Sequence, residues 1–175
     1  MAQASVIPYV IEVDASGGVK SVGTVADRFV PTDAQIANQL ARFITNVRSV
    51  SIDAVVLRAN WLEAYSFATD QASITLNAYA QDNDPFSEIG QRSVTVDVKS
   101  VVRSSDDSFE IRWRETSYRG GAHIGSQTFT ASLSIVIQPP TDAETLHRNP
   151  LGLYVHGLNW SKDLSTQHAF QGDAP

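Results

Sequence analysis

SVTVDVKSVVRSSDDSFEIRWRETSY (Ser93–Tyr118) alternates apolar and polar side chains with a period of two. Val94, Val96 and Val98 fall on one face, Thr95, Asp97 and Lys99 on the other. Phe109, Ile111 and Trp113 then oppose Glu110, Arg112 and Arg114. A strand sends successive side chains to opposite faces, so these are two half-buried strands. SSDDS (Ser104–Ser108) joins them as a turn. RGGAHIGS (Arg119–Ser126) turns again, and QTFTASLSIVIQ (Gln127–Gln138) makes a third strand. Such short links predict an antiparallel meander with one apolar face that something must cover.

The cover lies upstream, where the period is 3.6. In PTDAQIANQLARFITNVRSVS (Pro31–Ser51), Thr32 and Gln35 form a capping box, and Asp33 suits a helix N-terminus. Ile36, Leu40, Phe43, Ile44 and Val47 share one face, with Arg42 and Arg48 placed elsewhere. A second helix starts near Asp53, with Val55, Leu57, Trp61, Leu62 and Tyr65 as its apolar face. A third runs from about Asp70, capped by Asp70 or Ser73, and stops at DNDP (Asp82–Pro85). Before the helices, VIPYVIEVD (Val6–Asp14) reads as a strand. Gly17-Gly18 turn the chain and VKSVGTV (Val19–Val25) returns it as a hairpin.

Helices and strands are segregated along the chain, so the fold class is α+β. Three N-terminal helices on a curved antiparallel sheet of three long strands, plus the hairpin, give a cone. Residues 1–164 form one domain. NPLGLYVHGLNWSKDL (Asn149–Leu164) is expected to be a turn-rich, aromatic segment beyond the last strand. Ser165–Pro175 has no apolar periodicity and is expected to fray as a disordered tail.

The 175 residues suffice for one self-supporting core. The chain carries a net charge of −6, and its 13 basic residues form no cluster, which argues against nucleic-acid binding and an electrostatic hold on lipid. There is no cysteine, so disulfides, thiolate catalysis and cysteine-ligated zinc are excluded. No apolar run reaches the length of a membrane span.

Local signatures of chemistry are absent. His123, His147, His156 and His168 lack ligand spacing, so no metal is expected. Asp106-Asp107 sits where a turn wants aspartate. The glycine-rich stretches lack the Gly-Lys-Ser/Thr continuation of a phosphate loop, and no Gly-x-Ser-x-Gly elbow occurs. Asp97 points to solvent by alternation, while Glu115 continues the Phe109–Ile111–Trp113 face towards the rim of the sheet. A small-molecule-binding or enzymatic domain using the interior of the cone is the alternative reading; it would need a deep pocket with a perturbed ionisable pair.

Six stretches, in this order, carry a resemblance: VIPYVIEVD, PTDAQIANQLARFITNVRSVSIDAVVLRANWLEAYSF, NAYAQDNDPF, RSVTVDVKSVVRSSDDSFEIRW, IVIQPP and NPLGLYVHGLNWSKDL. Together they resemble the TrbF-type conjugal transfer proteins of the VirB-eight-like family of type IV secretion components, over roughly Ser5–Leu164. The resemblance implies a nuclear-transport-factor-two-like fold on the periplasmic side of the bacterial inner membrane. It implies a transmembrane helix preceding the equivalent of Val6, so that this chain is an excised domain. It also implies assembly with copies of itself and with other secretion components of the inner membrane and core complex, no catalytic role and no cofactor. By the same resemblance the turn Asn149, Pro150, Leu151, Gly152 is a self-association or partner contact. Tyr154 and Trp160 are anchors for core or interface. The first-helix surface with Arg42 and Arg48 is a second contact candidate.

Overall fold

The computed structural model describes residues 9–13, 19–24 and 30–164, the first two segments as backbone. The Gly17-Gly18 turn and the Ser165–Pro175 tail lie outside the described residues. β1 (Tyr9–Val13) pairs antiparallel with β2 (Val19–Thr24), as the hairpin reading expects. Three helices follow: α1 (Asp33–Arg48), α2 (Ala54–Ser66) and α3 (Asp70–Asp82). Then come β3 (Arg92–Arg103), β4 (Ser108–Arg119), β5 (Ala122–Ile137), a short α4 (Ala143–Arg148) and β6 (Leu153–Lys162).

The main sheet has four strands in the order β3-β4-β5-β6, all antiparallel. This corrects the expectation of three strands with an irregular segment after them. Most of Asn149–Leu164 is β6, an edge strand zipped to β5 from Ile137↔Leu153 to Phe129↔Lys162. Gly120 and Gly121 both take positive φ in the tight β4–β5 hairpin, which its right-handed twist requires.

The helix starts follow local chemistry. The Thr32 hydroxyl accepts from the Gln35 N–H at 3.3 Å, and the Gln35 side chain accepts from the Thr32 N–H at 2.9 Å. Asp53 caps α2 by accepting from the Val55 N–H at 2.8 Å. The α3 cap is Thr69, not Asp70 or Ser73; its hydroxyl accepts from the Ala72 N–H. Thr69 also donates its own N–H to the Val155 carbonyl, so the cap is tied to β6 before the helix begins. The Asp84 side chain turns the chain after α3 by accepting from the Phe86 N–H. Asp107 holds the β3–β4 turn, accepting from the Ser105 and Ser108 hydroxyls, which keep its carboxyl below the usual range. Thr32→Ala is expected to cost about 1 kcal/mol, or roughly 2–4 °C in melting temperature, because the Gln35 N–H loses the hydroxyl that caps it. A thermal melt checks it.

Loops clip both sheet edges. Val50 exchanges backbone hydrogen bonds with Val94 on β3, at 3.0 and 2.9 Å. Phe67 and Thr69 do the same with Val155 on β6, at 2.8 and 2.9 Å. These contacts blunt edges that would otherwise offer unpaired backbone to other chains.

The core fills the space between helices and sheet. Leu40, Phe43, Ile44, Leu57, Trp61 and Leu76 from the helices meet Phe109, Ile111, Trp113, Leu133, Leu153 and Val155 from the strands. Each such side chain contributes roughly 1.5–3 kcal/mol of burial. α1 packs on β3 and α2, and α3 on β6. The α2 face differs from the one expected. Leu57, Trp61 and Ala64 are buried, whereas Val55 and Leu62 face solvent. Two apolar faces lie on one helix, and the sequence pattern alone does not say which one the domain covers.

Candidate docking site

The turn after α4 is built around a buried amide. Asn149 caps α4 through its N–H to the Thr145 carbonyl and is only 2 % exposed. Its Nδ2 donates to the Leu153 carbonyl at 2.9 Å, and its Oδ1 accepts from the Leu153 N–H at 3.2 Å. Asn149 therefore behaves as a backbone mimic that starts β6. Gly152 has φ +58 and donates to the Asn149 carbonyl at 3.0 Å, while its own carbonyl accepts from the Gln138 N–H at 2.7 Å. A Cβ there would run into the Gln138 backbone carbonyl. Pro150 is exposed, and Leu151 is half-buried against the core.

The eight residues singled out from the sequence occupy three places. Asn149, Pro150, Leu151 and Gly152 make the corner. Tyr154 leaves it on β6, half-buried opposite Val136 on the face away from Leu153 and Val155. A register shift at His156 then turns Leu158 and Trp160 inward. Arg42 is on the outer surface, 63 % exposed and paired with Glu63.

Arg48 is the correction. Read as lying off the apolar face and available for contact, its side chain is 8 % exposed. Its Nε donates to Glu115 Oε1 at 2.6 Å, and Trp113 Nε1 donates to the same oxygen at 2.8 Å. The guanidinium carbon lies 4.6 Å from the Phe129 ring centre, 5.0 Å from Tyr79 and 5.2 Å from Trp160. Aromatic faces attract a cation, and a desolvated guanidinium gains most from them. Tyr79 meets Trp160 edge to face at 5.0 Å. Trp160 is thus an inward anchor, walling a buried charge.

This cluster floors a groove of 570 Å³ between helices and sheet, with Glu88, Arg92 and Lys162 also along its walls. Sequence reading singled out Trp160 and Arg48 but not the way they meet, and it missed Tyr79 and Phe129. The signals were Arg48 four residues after Ile44 on the buried helix face, and Glu115 in register with Phe109, Ile111 and Trp113. Burial pushes the Tyr79 phenol above its ordinary value, against the pull of Arg48. A folded value above the unfolded one stabilises the fold below about pH 10 and is lost as pH rises through the raised value. In an ultraviolet titration, Tyr79→Phe is expected to remove a late-ionising phenol.

Among the described residues, no three of His, Asp or Glu gather as a metal site, and no helix is long and apolar enough to cross a membrane.

The VirB8 protein family matches residues 1–163. The chain belongs to that family. Among individual proteins, it is 28 % identical to the conjugal transfer protein TrbF of Rhizobium radiobacter over 93 % of this chain and 75 % of that protein. The fold superposes on TraE, solved in complex with 4-(1H-pyrrol-1-yl)pyridine-2-carboxylic acid, with a TM-score of 0.65. That match covers 77 % of this chain and all of the TraE chain at 14 % identity. It superposes on Agrobacterium tumefaciens VirB8 with a TM-score of 0.62 and 16 % identity, over 78 % of this chain and 98 % of that one. The fold is the nuclear-transport-factor-two-like α+β domain of VirB8-type type IV secretion components. That family is one of secretion-machine components, not a known enzyme family.

Proposed function

We propose that this chain is the periplasmic domain of a bitopic inner-membrane component of a conjugative type IV secretion machine. It acts without catalysis or cofactor, by associating with copies of itself and docking to other inner-membrane and core-complex components. Membership of the VirB8 family across residues 1–163 carries this reading. The acidic surface, with a net charge of −6, is consistent with protein partners and not with direct DNA binding. Pro150 and Leu151 offer the contact at the corner, which Asn149 and Gly152 hold in shape. Arg42 offers one on α1. The experiment is replacement of the gene on its transfer element. Deletion is expected to abolish conjugation, and the intact gene supplied in trans to restore it. Undiminished transfer without the gene would overturn the reading.

The groove supports a second, compatible reading, in which a small aromatic acid lies between helices and sheet. It is favoured by the rings of Tyr79, Phe129 and Trp160 beside Arg92 and Lys162. Chemical-shift mapping with a pyridine carboxylic acid tests it. Shifts confined to this groove support it, and shifts elsewhere or none reject it.

A further inference from the structure

α2 carries an apolar stripe that its own domain leaves bare. Leu57, Trp61 and Ala64 face the core. On the opposite side Val55 is 77 % exposed, Val56 47 % and Leu62 60 %, with Ala59 exposed between them. Ile52, just before the Asp53 cap, extends the stripe at 62 % exposure. Within α2 the spacing 55, 59, 62 is that of successive d, a and d positions of a heptad seam, with Val56 beside it, and Ile52, in the bend before the cap, stands where the preceding a position would fall. A helix apolar on both faces is ordinarily covered on both. The bare patch amounts to roughly 400–500 Å², within the range of the largest patches on a monomer, which are often functional.

We propose that this stripe is a homotypic docking face, on which α2 of a second copy lies antiparallel. The pattern maps onto itself when the helix is reversed about residue 57. Ile52 then meets Leu62 of the second copy, and Val55 meets its Ala59, so that a small residue faces a larger one in each inner layer. Antiparallel helices in a heptad seam pack in this way at axis separations of about 8–10 Å. On one rim, Asp53 comes alongside the Arg42–Glu63 pair of the second copy, and Arg42, already 63 % exposed, supplies the opposite charge. On the other rim the two Arg58 side chains approach one another, which weakens the pair. The area is about half of the roughly 800 Å² per partner that a stable complex buries. The association is therefore weak in the isolated domain and strengthens when copies are held together.

This inference rests on the self-association reading above and names a surface for it. These 175 residues contain no cysteine, which makes a clean test. Val56→Cys places its thiol beside the two-fold axis, so mild oxidation is expected to give a covalent dimer. Ile74→Cys on α3, at 64 % exposure more accessible than Val56 at 47 %, is the control and is expected to give at least tenfold less. Leu62→Asp added to Val56→Cys is expected to reduce crosslinking to the control level, and alone to shift sedimentation towards monomer with an unchanged melting temperature. Crosslinking of Val56→Cys no better than the control overturns the proposal. So does self-association unaffected by Leu62→Asp, which would leave the broader reading standing on another surface. Flotation of a monomeric chain with phosphatidylcholine vesicles, lost in Leu62→Asp, would assign the stripe to lipid and also overturn it. A chain that stays monomeric even when tethered in pairs would sink self-association itself.

Discussion

Gly152→Val is expected to unfold the β6 edge and lower the melting temperature by about 10 °C or more. Three costs add. A non-glycine residue at φ +58 costs about 1–2 kcal/mol, and a β-branched one is worse placed still. The new Cβ meets the Gln138 backbone carbonyl, which cannot swing away as a side-chain tip could. The shift that relieves it breaks the Gln138 N–H to Gly152 bond and strains both bonds between Asn149 and Leu153. A buried amide left without partners costs about 1–3 kcal/mol. At roughly 2–4 °C per kcal/mol for a chain of this size, a sum of about 3–5 kcal/mol is plain in a circular-dichroism melt. A melting temperature within about 2 °C of the natural chain would sink the argument.

Pro150→Ala tests whether the corner is a contact as well as a part of the fold. Pro150 is exposed and precedes no strained residue, so its loss is expected to cost less than about 1 kcal/mol. A variant that melts normally yet associates less would place the contact on Pro150 and Leu151. The buried half of the same four residues cannot be probed that way, since Asn149 and Gly152 fail through folding first.

What the sequence made legible was whatever is decided locally. Thr32 with Gln35, and Asp53, announce helix starts because the cap is made within three residues of itself. β3 to β5 announce themselves because alternation runs unbroken for most of each strand. β6 escapes for a physical reason. Leu153 and Val155 face the core, but the bulge at His156 changes the parity, and Leu158 and Trp160 face it afterwards. Summed over ten residues, a broken alternation looks like a loop. Thr69 as the α3 cap escapes because its selection depends on Val155, 86 residues away, which holds the residue before the helix starts. Val55 and Leu62 group with Leu57 and Trp61 in the sequence pattern because periodicity reports apolar sides without saying which is covered. Arg48, expected off the apolar face with Arg42, lies one turn after Ile44 on the buried side of α1. Its partner, Glu115, is 67 residues distant.

Glu115→Ala is expected to be among the most damaging single changes in the described domain, at about 3–5 kcal/mol, because it strands a buried guanidinium. Arg48→Met is expected to cost a similar amount. It leaves a carboxylate that is 12 % exposed with Trp113 Nε1 as its remaining donor. The double change Arg48→Met with Glu115→Leu should be less destabilised than either single one, since neither charge then remains unpaired and the Met side chain still lies against Tyr79, Phe129 and Trp160. Denaturant unfolding of the four proteins forms a cycle whose coupling isolates the pair. Additive losses would mean that the pair contributes packing alone and that charge complementarity is irrelevant. The expected coupling has a consequence for docking. The pair fastens the last turn of α1 to β4 where the groove opens, so the groove has a fixed floor with Glu88, Arg92 and Lys162 along its walls. A double variant that folds but loses conjugative transfer would locate function at this floor. One that folds and transfers normally would assign the pair to the fold, leaving docking to the corner and to α2.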